Sequence, residues 1–288
     1  MQYRDDNDVL ITEYVPNERN GGLLWGISKM IEDVRMSRHL IWNLFLRDFN
    51  VQFRQQILGY FWALAGPLLG IVSFVFMAYT GILRPGDSGI PYPLYVFMGS
   101  SLWGYMLLSM TAVGGSLQAQ ADLIMRTNIP KMSLAVSALS NVVYGMLINY
   151  ASLLLIMLIA GFKPSWWVLL YPVLAVPLLM VGTSIGLLLS VTAIMAKDLT
   201  KIVTQGFTIL MYLTPVVYVV DQIEQPIIKK LIILNPLTYL IEVPRSLSCL
   251  GETRYLGLYG WGLLGAVLML MVSIRAFYLL QDLVAERL

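Results

Sequence analysis

One cysteine and one histidine are all that the 288 residues hold of either type. A lone Cys249 forms no intrachain disulfide and no cysteine metal cluster, and reads as a small apolar residue. A lone His39 removes histidine pairs, histidine metal sites and most triad chemistry, and the motifs HExxH and CxxC fall with these counts. Charge is scarce as well: Asp, Glu, Lys and Arg make up 12% of the chain, against about 25% in a soluble domain. No glycine directly precedes a lysine, so the phosphate loop GxxxxGK[ST] is absent. If ATP drives this protein, another subunit hydrolyses it. The long apolar runs carry almost no ionisable residue, which argues against a proton- or sodium-coupled carrier with carboxylates or histidines at the bilayer midplane. A formal net charge of +2 gives no reason to expect nucleic acid. The first 22 residues lack a basic segment followed by an apolar one and do not read as a cleaved signal peptide.

What the chain has in abundance is apolar length. With 58% hydrophobic residues and a mean hydropathy of +0.72 it reads as an all-α membrane protein, with room for about six transmembrane helices of roughly 20 residues each. The organising stretch is LRDFNVQFRQQILGYFWALAGP, residues 46–67, where the chain changes solvent. Arg47, Asp48, Arg54, Gln55 and Gln56 suit water or headgroups, and Tyr60, Phe61 and Trp62 suit the point of entry into lipid. Residues 1–22 read as a flexible cytoplasmic arm. Residues 23–57 form an N-terminal amphipathic interface helix and the polar segment after it, too charged to span, with Trp25 and Trp42 at headgroup level. Residues 58–288 form the membrane domain, with spans expected over 59–83, 91–117, 132–161, 166–195, 202–220 and 256–280. Alternate loops then place twelve Lys and Arg on one side and six on the other, which favours both termini in the cytoplasm.

Three constellations stand out. Asp122, Leu123, Ile124, Met125, Arg126, Asn128, Ile129, Pro130 and Lys131 make a short helix with an apolar and a charged side, ended by proline; it fits a groove on a cytoplasmic partner, and equally an ordinary polar loop. Residues 226–250 are apolar in pieces too short to cross. They suggest a re-entrant helical hairpin on the outer side with Asn235 capping a helix that starts at Pro236, or else an external loop packed on the spans. Glu242 and Arg245 stand three apart within it, close enough to pair. A structural ion pair is preferred there over substrate contact. Among many aromatics, Tyr60, Trp62, Tyr79, Tyr212 and Tyr218 are candidates for sugar-facing rings, with lipid anchoring and packing as the alternatives.

Together these features resemble the membrane-spanning permease subunit of bacterial ABC exporters for polysaccharides, the group that moves O-antigen, capsule and teichoic acid. The resemblance covers residue 40 to the end. It rests on Arg47-Asp48, Arg54, Leu58-Gly59, Trp62 and Pro67, on residues 122–130, on Lys197-Asp198, on Leu213-Thr214-Pro215-Val216, and on Asn235-Pro236-Leu237-Thr238 followed by Glu242 and Arg245. Phe53-Arg54, where many members have Arg-Tyr, and a longer acidic amino-terminal arm are departures. The resemblance implies a homodimer with the pathway between subunits and two copies of a cytoplasmic ABC ATPase subunit that binds ATP and Mg. It implies an undecaprenyl-linked polysaccharide as cargo in the bacterial inner membrane, and no catalytic residue, cofactor or metal in this chain. It makes Asp122, Leu123, Ile124, Arg126 and Pro130 a coupling helix, and Leu58-Gly59 part of a cytoplasmic gate. Arg47 and Arg54 would meet the lipid pyrophosphate, with positive-inside anchoring or ATPase contact as the plainer roles. The rival functions are export of a drug or lipid by the same superfamily and, from another class, a membrane-embedded glycosyltransferase or polymerase.

Overall fold

The structure, a computed structural model, describes residues 2–4, 10–12, 22–54, 61–82, 86, 88–127, 129–192 and 197–285. The amphipathic segment forms two helices, α1 (Leu23–Met36) and α2 (Arg38–Arg54). They join at Ser37, where hydrogen bonding continues through Ser37 N–H to Asp33 O and Ile41 N–H to Ser37 O, both at 2.9 Å. The axis therefore bends without losing its ladder. Near the amino terminus, Gln2–Arg4 (β1) pairs antiparallel with Leu10–Thr12 (β2), Gln2 opposite Thr12, where the sequence suggests only a flexible arm.

The apolar runs give α3 (Phe61–Tyr79), α4 (Tyr92–Ala119), the short α5 (Ala121–Arg126) and α6 (Lys131–Ile159). A 3₁₀ turn over Trp166–Leu170, then α7 (Tyr171–Leu174) and α8 (Val176–Thr192), follow as one nearly continuous rod. After α9 (Lys197–Leu210) come α10 (Pro226–Leu234), α11 (Pro236–Leu250) and α12 (Leu256–Ala285). Among the described residues four helices are long and apolar enough to cross a membrane: Tyr92–Ala119, Lys131–Ile159, Trp166–Thr192 and Leu256–Gln281.

The fifth expected span, 202–220, is not one helix. With 14 residues α9 reaches about 21 Å, short of the roughly 30 Å hydrocarbon core. It tightens into a 3₁₀ turn at Met211–Leu213, and Thr214 then turns extended, φ −124° and ψ 138°. Pro215 is the cause, because its ring disfavours helical backbone at the residue before it and it brings no N–H of its own.

At the centre stands α4. Five consecutive residues, Leu94, Tyr95, Val96, Phe97 and Met98, are buried, so this part of the helix is covered on every side rather than along one stripe, whereas Leu108 and Thr111 further along it are exposed. Its closest neighbour is α8, across a seam of small residues. A Cβ added at Gly182 would stand 2.2 Å from Met106 O, and one at Gly186 2.8 Å from Met110 O. Only glycine at these two positions lets the backbones approach so nearly, as in the small-xxx-small packing of membrane helices. Helices α6 and α12 each bury one side and leave large apolar side chains such as Leu147, Leu158, Leu268 and Val272 exposed, as suits lipid contact.

Candidate functional site

The break after α9 leaves buried backbone over residues 214–217 without helical partners, and buried backbone must find its partners elsewhere in the protein or in water. Arg245 of α11 meets much of that demand. Its side chain is fully buried, and Nη2 donates to Pro215 O at 2.7 Å and to Glu242 Oε2, while Nη1 donates to Val216 O at 3.2 Å. The guanidinium carbon lies 3.6 Å from the centre of the Tyr95 ring, a cation–π contact in a desolvated place. Tyrosine hydroxyls extend the clamp, Tyr92 to Val217 O at 3.1 Å and Tyr95 to Tyr218 O at 2.9 Å. Asn235 closes it from the junction of α10 and α11: Nδ2 donates to Thr214 Oγ1 at 3.1 Å, while Oδ1 accepts the Leu237 N–H that opens α11. Arg245, Glu242, Asn235 and Tyr218 thus belong to one network that holds residues 214–218.

Along α9 and the 3₁₀ turn that continues it, Lys201, Gln205, Thr208 and Tyr212 are all exposed and recur at four, three and four residues. That spacing sets them in one row on one face. Ile202, Gly206, Ile209 and Leu213 form an exposed row beside it. An exposed polar row is unfavourable against lipid and requires water, headgroups or protein in front of it. Tyr218 leans on the end of this row, its hydroxyl donating to Tyr212 O at 3.0 Å. Tyr79, at the end of α3, is 93% exposed, and with Leu69, Val72 and Phe76 it makes another uncovered row. The sequence reading names Tyr212 singly and misses Lys201, Gln205 and Thr208; the helical period of polar residues through 201–212 is the signal.

At the other end of the molecule α5 rests on the core through half-buried Leu123 and Ile124, while Asp122, Met125 and Arg126 face outward. Arg47 sits beside it. Its guanidinium holds Asp48 Oδ1 through Nε at 2.9 Å and Nη2 at 2.7 Å, and reaches Gln120 Oε1 just before α5 at 3.3 Å. Arg47 therefore ties α2 to the start of α5. Pro130 starts α6 and is half-buried. Leu58, Gly59 and Tyr60 lie outside the described residues. Arg54 and Trp62 belong to α2 and α3, but their side chains lie outside the description too.

Helix α1 is pinned to α12 from the same end. Buried Asp33 accepts the Tyr278 hydroxyl at 2.7 Å, Trp25 packs edge-on against Tyr278, and the Arg275 guanidinium lies 5.1 Å from the Trp25 ring. Burial pushes the Asp33 carboxyl above its ordinary range, against the Tyr278 hydrogen bond and Lys29, which lower it, and with Glu32, which raises it further. A folded-state value above the unfolded one means this group's contribution is full below the ordinary carboxylate range and is lost as pH rises through the raised value. At neutral pH the Tyr278 hydroxyl is what makes a buried carboxylate tolerable. Tyr278→Phe is expected to lower stability by about 1.5–3 kcal/mol at pH 7.5, with a smaller penalty at acidic pH, and Asp33→Asn in the same chain should recover most of it. Thermal unfolding of the wild-type chain and the two variants checks this.

One motif suggests an enzyme. Gly182-Thr183-Ser184-Ile185-Gly186 has the spacing GxSxG, which corrects the sequence reading that this motif is absent along with HExxH and CxxC. A serine nucleophile of that type needs a sharp strand-to-helix turn. Ser184 is buried in the middle of α8 instead, its hydroxyl bonded to Met180 O at 2.6 Å. The glycines serve helix packing. Among the described residues no three His, Cys, Asp or Glu side chains are grouped to hold a metal.

Known proteins are similar to this chain in sequence. A protein of Myxococcus xanthus named O-antigen export system permease protein RfbA is 26% identical over 219 residues, covering 74% of this chain and 81% of that one. A Klebsiella pneumoniae protein of the same name is 27% identical over 215 residues, covering 73% and 80%. Residues 39–247 match the family described as ABC-2 type transporter, a length that runs from α2 into α11 and takes in α5, the broken crossing and the Arg245 clamp. By that match, and with helices long and apolar enough to cross a membrane, the chain belongs to the ABC-2 type transporter family.

Proposed function

We propose that this chain is the permease subunit of an exporter that moves a lipid-linked polysaccharide, specifically O-antigen, out across the bacterial inner membrane, with both termini in the cytoplasm. Two copies form the pathway between them, and two separate ABC ATPase subunits dock at the ends where α5 is found. The observation that carries this reading is the exposed polar row of α9, Lys201, Gln205, Thr208 and Tyr212. A hydrophilic face on a membrane-embedded helix, even one too short to cross, is stable only when it borders water, and a second copy facing it would enclose that water. Hydroxyl and amide groups there, with the Tyr212 ring at the outer end, suit a polymer of sugars that slides past without tight binding. The names of the two relatives supply the cargo. The outward Asp122, Met125 and Arg126 supply an ATPase contact of small area, and the Arg47 link to Gln120 passes its movement to α2.

The test uses the chain reconstituted with its ATPase, and cells that lack their own copy. Gln205→Leu with Thr208→Leu is expected to retain ATPase binding and lose surface display of O-antigen. Asp122→Ala, Leu123→Ala and Arg126→Ala together should lose ATPase binding, the membrane chain remaining folded. Normal O-antigen display in both variants would overturn the reading. An ATPase that neither binds the wild-type chain nor changes its turnover with it would move the glycosyltransferase alternative to the front.

A further inference from the structure

An apolar trough of about 370 Å³ runs between the α1–α2 segment and α6, lined by Arg38, Trp42, Phe45, Val143, Tyr144 and Leu147 among others. Its α6 wall extends from Val136 to Leu147, about 16 Å of helix, which is half of the roughly 30 Å hydrocarbon core and so the depth of one leaflet. The wall on the α2 side is aromatic. The Trp42 and Phe45 rings lie 5.5 Å apart, Phe45 and Tyr144 6.1 Å, and Phe49 and Tyr144 4.9 Å, residues of the kind that gather at headgroup level.

The charges around the trough are unbalanced. Lys29 has Glu32 and Arg47 has Asp48, but exposed Arg35 and Arg38, three residues apart, have no acidic partner among the described residues. A guanidinium at the edge of an apolar channel in a membrane protein calls for an anion, and it binds a phosphate diester through two parallel hydrogen bonds. Two adjacent arginines further disfavour a headgroup that carries its own ammonium. We infer that this trough holds one anionic phospholipid of the inner leaflet, its phosphate on Arg38 and an acyl chain along α6, and that the lipid fastens the α1–α2 segment to the third crossing.

The test is native mass spectrometry of the full chain with its ATPase, taken from nanodiscs of equal parts palmitoyl-oleoyl phosphatidylglycerol and phosphatidylcholine. The wild-type chain should retain the glycerol lipid over the choline lipid by about fivefold, the effect of one arginine beside an anionic surface. Arg38→Gln should bring that ratio near one with lipid still held. Val143→Trp, which fills the trough and leaves the charge, should lose the tightly held lipid of either headgroup. Thermal unfolding in detergent identifies any variant that fails to fold. Equal retention by the wild-type chain, or a preference that survives Arg38→Gln, overturns the inference. So does a disulfide between copies through Trp42→Cys in native membranes, because a second copy would then occupy the trough.

Discussion

Arg245→Met is expected to abolish export and strip the chain of much of its stability. The substitution fits the volume but leaves the carbonyls of Pro215 and Val216 without their donor and Glu242 without its cation. Breaking a buried charge pair in this way costs about 3–5 kcal/mol, against a total stability of about 5–15 kcal/mol. Arg245→Lys keeps the charge but recovers little, since one ammonium does not reproduce a planar fork that reaches two carbonyls and a carboxylate while lying on the Tyr95 ring. The checks are the amount of folded chain in the membrane, its thermal unfolding, and O-antigen on the surface. Wild-type values for Arg245→Met on all three would mean that residues 214–218 hold their shape without the clamp.

The second large effect lies at the α4–α8 seam. A Cβ on Gly182 would meet Ser109 Oγ at 2.1 Å and Met106 O at 2.2 Å, and one on Gly186 would meet Val113 Cβ at 2.9 Å. Backbone cannot yield as a flexible side chain does, so even Gly182→Ala must push the two central helices apart. Overpacking costs about 1–3 kcal/mol for small insertions and more for large ones. Gly182→Leu should therefore give no folded chain, and Gly182→Ala a clearly lowered unfolding temperature. Gly145→Ala and Gly265→Ala are the controls: a Cβ meets nothing within 4 Å at either site, and alanine favours a helix by about 1 kcal/mol over glycine. Equal behaviour of Gly182→Ala and Gly145→Ala would mean that the seam is looser than its geometry.

Much of the site was legible because its signals are local. Proline after a capping asparagine places the start of α11, and the spacing of Glu242 and Arg245 places two groups on one face; the proline after Thr214, which ends the fifth helical run, is a local signal that hydropathy does not register. Other parts depend on contacts between residues far apart in the chain. The pairing of Arg245 with Glu242 can be read from three residues of spacing, but its bonds to Pro215 and Val216 cross some thirty residues and no local pattern announces them. The fifth span was read as continuous because hydropathy averages over a window and ignores where hydrogen bonds go. For the same reason the polar row of α9 was missed, its four members being diluted by apolar neighbours. Gly182 and Gly186 carry a recognisable spacing, yet which helix they face is decided elsewhere.

Composition and local spacing were enough to give the apolar, helical character of this protein, the order of its apolar segments, the lack of a GxxxxGK[ST] phosphate loop, and the likeness that led to its family. Those properties follow from composition and from spacings within a few residues, which act through transfer energy and backbone sterics. Only the tertiary structure decided that the fifth crossing breaks, that a buried arginine holds the broken part, that α5 is linked to α2 through Arg47, and which rows of side chains remain uncovered. A guanidinium buried from water takes whichever carbonyls the fold brings to it, and a helix face is exposed or covered according to its neighbours, so these outcomes are properties of packing.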